Sequence, residues 1–261
     1  MKKGIFSNQL IRRLEPWLLP VLLLVCWFLL SKYGLLSNKI LPAPTDVLLA
    51  FGELVSSGEL FGHLFISFQR AIIGFLIGGS IGLLLGLTNG LFPIAERFLD
   101  TTIQMVRNIP HLAMIPLVVL WFGIGEEAKV FLVAIGVLFP IYVNTVHGLR
   151  SIDQGLMEMG KVYGLSPGRL FWQIILPGAF PSILVGVRYA LGIMWLTLIV
   201  SETIAADAGI GFMAMNAREF MQTDVVLLSI LLYALFGKLA DSMARGLERK
   251  FLKWHPNYQN I

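Results

Sequence analysis

The chain has 261 residues, 56% of them hydrophobic and only 14% charged, with a formal net charge of +4 and a mean hydropathy of +0.77. Soluble domains carry about 25% charged residues, so a chain this apolar cannot cover a globule with polar surface, and its outer face must meet lipid. The basic balance has a membrane cause as well, because Lys and Arg collect on the cytoplasmic side; no basic cluster interleaved with base-stacking aromatics is present, and nucleic acid is not an expected partner.

Taken from the N-terminus, the first apolar run follows Lys2, Lys3, Arg12 and Arg13 and imitates a signal peptide. Lys32-Tyr33-Gly34-Leu35-Leu36 follows it where a small-residue cleavage site would stand, so the run reads as an uncleaved first span over 16–33. It holds Cys26, the one cysteine of the chain, which excludes an intrachain disulfide. The next connection predicts a short surface helix of about a dozen residues, too short to cross. Pro42 and Pro44 prevent an earlier start, Thr45 is the expected cap, and Gly58 stops it. It either packs on the bundle or offers a docking surface outside.

Five further stretches are long and apolar enough to cross: 65–88, 103–122, 128–146, 183–201 and 225–243. The first of them carries Gly74, Gly78, Gly82, Gly86 and Gly90, each four apart. Residues at i and i+4 lie on one ridge of a helix, so the missing side chains leave a groove for a neighbouring helix. The groove serves packing inside the subunit or a moving contact. Pro110 and Pro116 interrupt 103–122, and Asn108 and His111 flank the first proline. Polar residues beside a proline at membrane depth line a cavity or bond to a neighbouring helix.

Thirteen Lys and Arg fall on one side of these crossings (Lys2, Lys3, Arg12, Arg13, Arg97, Arg107, Arg150, Lys161, Arg169, Arg245, Arg249, Lys250, Lys253) and five on the other (Lys32, Lys39, Arg70, Lys129, Arg218). The asymmetry places both termini in the cytoplasm, which six crossings also require.

The connection over 147–181 is too polar to cross and yet patterned. Leu156, Met157, Met159 and Val162 fall at helical spacing, Gly164 supplies a C-cap, Ser166 an N-cap, and Pro167 the first position of a second helix. That second helix, with Leu170, Phe171, Ile174 and Ile175, is expected to end before Pro177. A helix–turn–helix thus hangs on the cytoplasmic face.

Glu158-Met159-Gly160, Gly164-Leu165-Ser166 and Ile174-x-Leu176-Pro177 keep the spacing of the cytoplasmic loop pattern E-A-A-x3-G-x9-I-x-L-P, with Met159 and Gly160 in place of the two alanines. The chain resembles the permeases of binding-protein-dependent ABC importers. The strings Arg107-Asn108-Ile109-Pro110-His111-Leu112-Ala113, Trp121-Phe122-Gly123-Ile124-Gly125 and Ser201-Glu202-Thr203-Ile204 are similar to the sulfonate, taurine and nitrate branch, and most similar to aliphatic sulfonate permeases. The resemblance implies an all-α bundle of six transmembrane helices with the type I importer fold. It implies one transmembrane domain over 1–261, with a core over 60–245, in the bacterial inner membrane. It also implies a homodimer, two ATPase subunits that carry ATP and Mg, and an external sulfonate-binding protein. In this family the loop seats in a cleft of the ATPase, which assigns coupling to Glu158, Met159, Gly160, Gly164, Leu165, Ser166, Ile174, Leu176 and Pro177.

The chain has no G-x4-G-K-[ST] loop: Gly160-Lys161 is followed by Val162, and Gly237-Lys238 by Leu239. No enzyme activity, catalytic residue or cofactor is therefore assigned to it. His63, His111, His147 and His255 are scattered, without metal spacing. For the translocation path the candidates are Asn108, His111, Arg188, Ser201, Glu202 and Asn216. Glu202, acidic at membrane depth, is a functional candidate or a paired residue holding the outer loop; Arg188 snorkels or lies by a pathway. Gly209-Ile210-Gly211 with Met213, Met215 and Asn216 reads as a flexible outer connection in an external gate. A secondary transporter would use Glu202 and Asp224 as ion sites but leaves the cytoplasmic helix pair unexplained. An intramembrane enzyme lacks a nucleophile with its base.

Overall fold

The computed structural model describes residues 3–37 and 40–254; Lys2, Lys39 and His255 lie outside them, as do the side chains of Lys3, Arg12, Arg13 and His111. All regular structure among the described residues is helical. The elements are α1 (Lys3–Lys32), α2 (Pro44–Ser57), α3 (Glu59–Leu91), α4 (Pro93–Arg107), α5 (Ile115–Phe122), α6 (Glu126–Arg150), α7 (Gln154–Val162), α8 (Pro167–Leu170), α9 (Leu176–Ala205), α10 (Ile210–Glu219) and α11 (Thr223–Phe251). The chain divides into two units, residues 1–61 with 213–230 and residues 62–212 with 231–261.

In the first unit, Trp27 Nε1 donates to the Pro42 carbonyl at 3.1 Å. The surface helix starts one residue before its expected cap: Ala43 is the N-cap and Pro44 takes the first turn. Pro44 suits that place because its fixed φ is already helical and its missing N–H has no partner to lose. Val47 and Ala50 are buried, while Leu48 and Leu49 of the same helix are exposed.

In the second unit, α6 lies between α3 and α9, and glycines set both spacings. A Cβ at Gly74 would stand 2.6 Å from Val133 Cγ1, and one at Gly86 2.6 Å from Thr145 Cβ; at Gly78 and Gly82 it would run into the carbonyls of Ala134 and Leu138, and at Gly90 into Leu149. All five glycines of the ladder therefore face α6, and backbone meets backbone at the two central ones. On the other side, α6 packs extensively against α9. Gly136 admits Thr197, Gly148 admits the Ala179 backbone, and Gly186 admits Asn144. Between helices in lipid no water is released, so close approach of small residues supplies the attraction.

Among the described residues, α3, α6, the run Pro167–Ile204 and α11 are long and apolar enough to cross. The expected span over 103–122 is not one helix. It comprises α4 and α5, with the axis bent by 79° between them; Pro110 leads into a 3-10 turn over His111–Met114, and Pro116 starts α5. Each proline lacks the N–H that a continuous helix would use. Counting the bent pair as a fifth crossing gives four or five. The first helix contributes the apolar stretch Leu18–Lys32, with Leu18, Leu19 and Leu22 exposed as lipid-facing residues would be.

Two cations counted with the outer connections belong elsewhere. Arg70 lies inside α3 and Lys129 inside α6, each with a side chain 3% exposed. A count along the chain cannot separate a loop charge from a buried partner.

Candidate functional site

The helix pair between α6 and α9 is built from its turn outward. Asp153 caps α7, accepting from the Gly155 N–H at 2.7 Å. At the other end Gly164 has φ +73°, a left-handed conformation that costs a residue with a Cβ about 1–2 kcal/mol. Its N–H donates to the Lys161 carbonyl at 2.9 Å, and the Leu165 N–H to the Gly160 carbonyl at 3.0 Å. This is the Schellman arrangement, which satisfies carbonyls left over at a helix end. Gly160 is buried at the seam, where a Cβ would stand 2.6 Å from Leu170 Cδ1 and 2.8 Å from Ile174 Cδ1. The departure from alanine at 160 thus goes with a tighter seam between α7 and the segment that follows, not a looser one.

The second helix of the pair does not stop before Pro177. After Pro167–Leu170 the chain makes a π turn over Phe171–Ile175, closed by the Leu176 N–H donating to the Phe171 carbonyl, and continues directly into α9. The wide turn shifts the hydrogen-bond register by one residue, and Pro177 falls in the first turn of α9, where no N–H is required. Ser166 occupies the N-cap position without a side-chain bond. Ile175 and Leu176, with Ile152, pack on the buried Leu149, Ala179 and Ile183, so the pair is anchored to α6 and α9. Glu158 is exposed, and Val162 and Tyr163 remain 84% and 79% exposed.

At the opposite end of α9 stands a buried charge network. The Glu202 side chain has no exposed surface and accepts from four donors: Ser67 Oγ at 2.8 Å, Arg70 Nη1 at 2.8 Å, Tyr233 Oη at 3.0 Å and the Gly211 N–H at 2.9 Å. Arg70 also holds Glu126 bidentately, with both contacts at 2.6 Å, and donates to the Ala208 carbonyl. Lys129 completes the set against Glu126 at 3.1 Å. Lys129 also lies 3.8 Å from the exposed Asp207, and Glu126 is more than half exposed; the pair buried on both sides is Arg70 with Glu202, which is neutral as a pair, the condition for burying charge at all.

Gly209 to Gly211 are not a slack connection. Their three consecutive N–H groups are taken by His63 Nδ1, Ser67 Oγ and Glu202 Oε2. These are the orphan donors of the α10 N-terminus, where a carboxylate is favoured. Gly209 has φ +115°, and a Cβ there would meet the Glu202 carboxylate at 2.5 Å. Only glycine lets the chain pass so close.

Ser201 donates to the Leu198 carbonyl at 2.8 Å, and Asn108 and Asn216 are exposed. Arg188 lies fourteen residues before Glu202 on α9, about 21 Å away along the axis. It pairs with Asp241 at 2.8 Å and approaches Glu248 at 3.7 Å. Sequence reasoning missed Arg70 and Tyr233 as partners of Glu202, and Glu126 and Lys129 as the further members of the network around Arg70. The available signal was a cation, Arg70, only six residues into the apolar stretch 65–88.

Residues 78–253 match the profile of the family described as "Binding-protein-dependent transport system inner membrane component". The chain belongs to this family. The permease is 63% identical, over 94% of both chains, to the putative aliphatic sulfonates transport permease protein SsuC of Escherichia coli (strain K12). It is 45% identical to the protein of the same name from Bacillus subtilis (strain 168), over 93% of this chain and 88% of that one. With the taurine transport system permease protein TauC of Escherichia coli (strain K12) the identity is 36%, over 91% and 88%. Among solved structures, an amino acid ABC transporter with histidines aligns at a TM-score of 0.58 and 17% identity, over 76% of the permease and 96% of that chain. The inward-facing MetNI methionine ABC transporter aligns at 0.50 and 23%, over 73% and 94%. These two likenesses concern the fold, which is that of an ABC importer permease.

Proposed function

We propose that this permease carries aliphatic sulfonates across the inner membrane as a homodimer, served by two ATPase subunits and an external binding protein. The observation that carries the reading is 63% identity over 94% of both chains to a protein named for aliphatic sulfonate transport. ATP and Mg belong to the ATPases, and the α7–α8 pair enters them with Glu158, Gly164 and Leu165 at the contact. In this reading α1 and the bent α4–α5 pair complete six crossings, Glu202 anchors the outer end of the bundle, and both termini are cytoplasmic.

Cells lacking their own sulfonate uptake, supplied with ATPase, binding protein and permease together, should accumulate radiolabelled alkanesulfonate; without the permease they should not. Uptake of taurine or nitrate in preference to alkanesulfonate sinks the substrate assignment. The orientation has its own check. In a Cys26→Ser background, a cysteine replacing Lys161 should resist a membrane-impermeant thiol reagent on intact cells and react after lysis, and labelling of intact cells would reverse the topology.

A further inference from the structure

The second unit contains a cavity of about 350 Å³ against α4, α6 and α9 that none of the assignments above uses. That volume lies within the range of small-molecule sites. Its lining is two-faced. Arg107, Asn144 and Tyr189 supply polar groups, while Phe139, Val143 and Ile193 supply apolar surface. Along α6 it runs from Gly136, near the middle of the helix, to Asn144, about 12 Å further on.

Arg107 distinguishes this cavity from its neighbour. A second cavity, of about 480 Å³, shares Tyr189 and Ile193 with the first and also contains a cation, Arg188. Arg188 is already neutralised by Asp241 at 2.8 Å. Among the described residues no carboxylate forms an ion pair with Arg107. Arg107 is the last residue of α4 and is exposed, so its guanidinium is free to take an anion that enters the cavity as its counter-ion. The guanidinium offers a planar fork of N–H donors to an oxyanion. The exposed Tyr189 hydroxyl and the second N–H of Asn144, whose first is taken by the Pro140 carbonyl, are further donors. The apolar lining has no use for an inorganic anion and matches an alkyl chain.

We propose that this cavity is a station for the transported anion, with Arg107 holding the sulfonate head and Phe139, Val143 and Ile193 receiving the alkyl tail. The assignment rests on the sulfonate reading of the permease, and its test keeps the two apart. The complete transporter, with its ATPases and binding protein, is reconstituted in liposomes as wild type, Arg107→Gln and Arg107→Lys. Wild type takes up alkanesulfonate. Arg107→Gln is expected to lose at least tenfold in uptake while ATP hydrolysis stimulated by the loaded binding protein stays within twofold, and Arg107→Lys recovers a third or more of wild-type uptake. In a Cys26→Ser background, a Val143→Cys variant that keeps Arg107 provides a readout that a structural role would not move: hexanesulfonate should slow its alkylation at least threefold, and chloride at equal ionic strength should not. Wild-type uptake together with undiminished uptake by Arg107→Gln overturns the station and leaves the sulfonate function standing. Equal protection by hexanesulfonate and chloride overturns it too, including where the Gln variant fails to assemble. No alkanesulfonate uptake by wild type overturns the function itself.

Discussion

Glu202→Ala is expected to destabilise the permease by about 3–5 kcal/mol, the cost of breaking a buried ion pair on one side only. The substitution removes the common acceptor of Ser67, Arg70, Tyr233 and the Gly211 N–H. Arg70 keeps Glu126, but that carboxylate is more than half exposed, and the buried guanidinium loses the one carboxylate that shares its buried site. At roughly 2–4 °C per kcal/mol for a chain of this size, the melting midpoint in detergent should fall by about 6–20 °C. The companion variant separates charge from packing. Glu202→Leu with Arg70→Met removes both buried charges of the pair and leaves Glu126 with Lys129, so it should recover part of the loss. A Glu202→Ala protein that melts within 2 °C of wild type would show that the network contributes nothing to the fold.

Gly164→Val should abolish transport while leaving the spans in the membrane. The residue has φ +73° and a Cβ there meets nothing within 4 Å, so the whole penalty is conformational. A β-branched residue does not hold that backbone without strain. The turn therefore rearranges, and the carbonyls of Gly160 and Lys161 lose their donors. The consequence falls on the angle between α7 and the segment that leads into α9. Membrane-inserted protein should match wild type, whereas uptake and co-purified ATPase should each fall tenfold or more. Gly168→Ala is the control, because Gly168 also has open space around its Cβ position and no positive φ; it should leave both readouts unchanged. If Gly164→Val couples normally, the helix pair is not the element that meets the ATPase.

The apolar spans were legible because lipid imposes one requirement on every residue of a crossing, and hydropathy records it directly. The glycine ladder was legible for a similar reason, since five omissions at one spacing leave only one face of α3 for a partner to approach. The Gly164 turn was read from local chemistry alone. What could not be read were relations between distant segments. Glu202 meets Ser67 and Arg70 across 135 and 132 positions of sequence, and no periodicity links them. Arg70 and Lys129 were counted as outer charges because a one-dimensional count records sign and not partner. Pro177 misled for another reason. The rule that a helix ends before proline assumes α register, and the π turn over Phe171–Ile175 changes the register just ahead of it. Pro110 lies at the bend itself, whereas Pro116 falls in the first turn of α5, where a proline is accommodated.

The unbroken passage from the π turn into α9 gives the molecule a mechanical property. The thirty residues of Leu176–Ala205 make a rod about 45 Å long, with the anchored cytoplasmic pair at one end and Glu202 three residues from the other. Pro181 lies inside the helix near its first end, and the stretch beyond it to Ala205 carries no other proline to kink it. A tilt of about 10° around its midpoint carries each end about 4 Å in opposite senses, more than the length of any hydrogen bond in the Glu202 network. The influence runs both ways: whatever tightens the Glu202 network is linked by the same free energy to the setting of the α7–α8 pair.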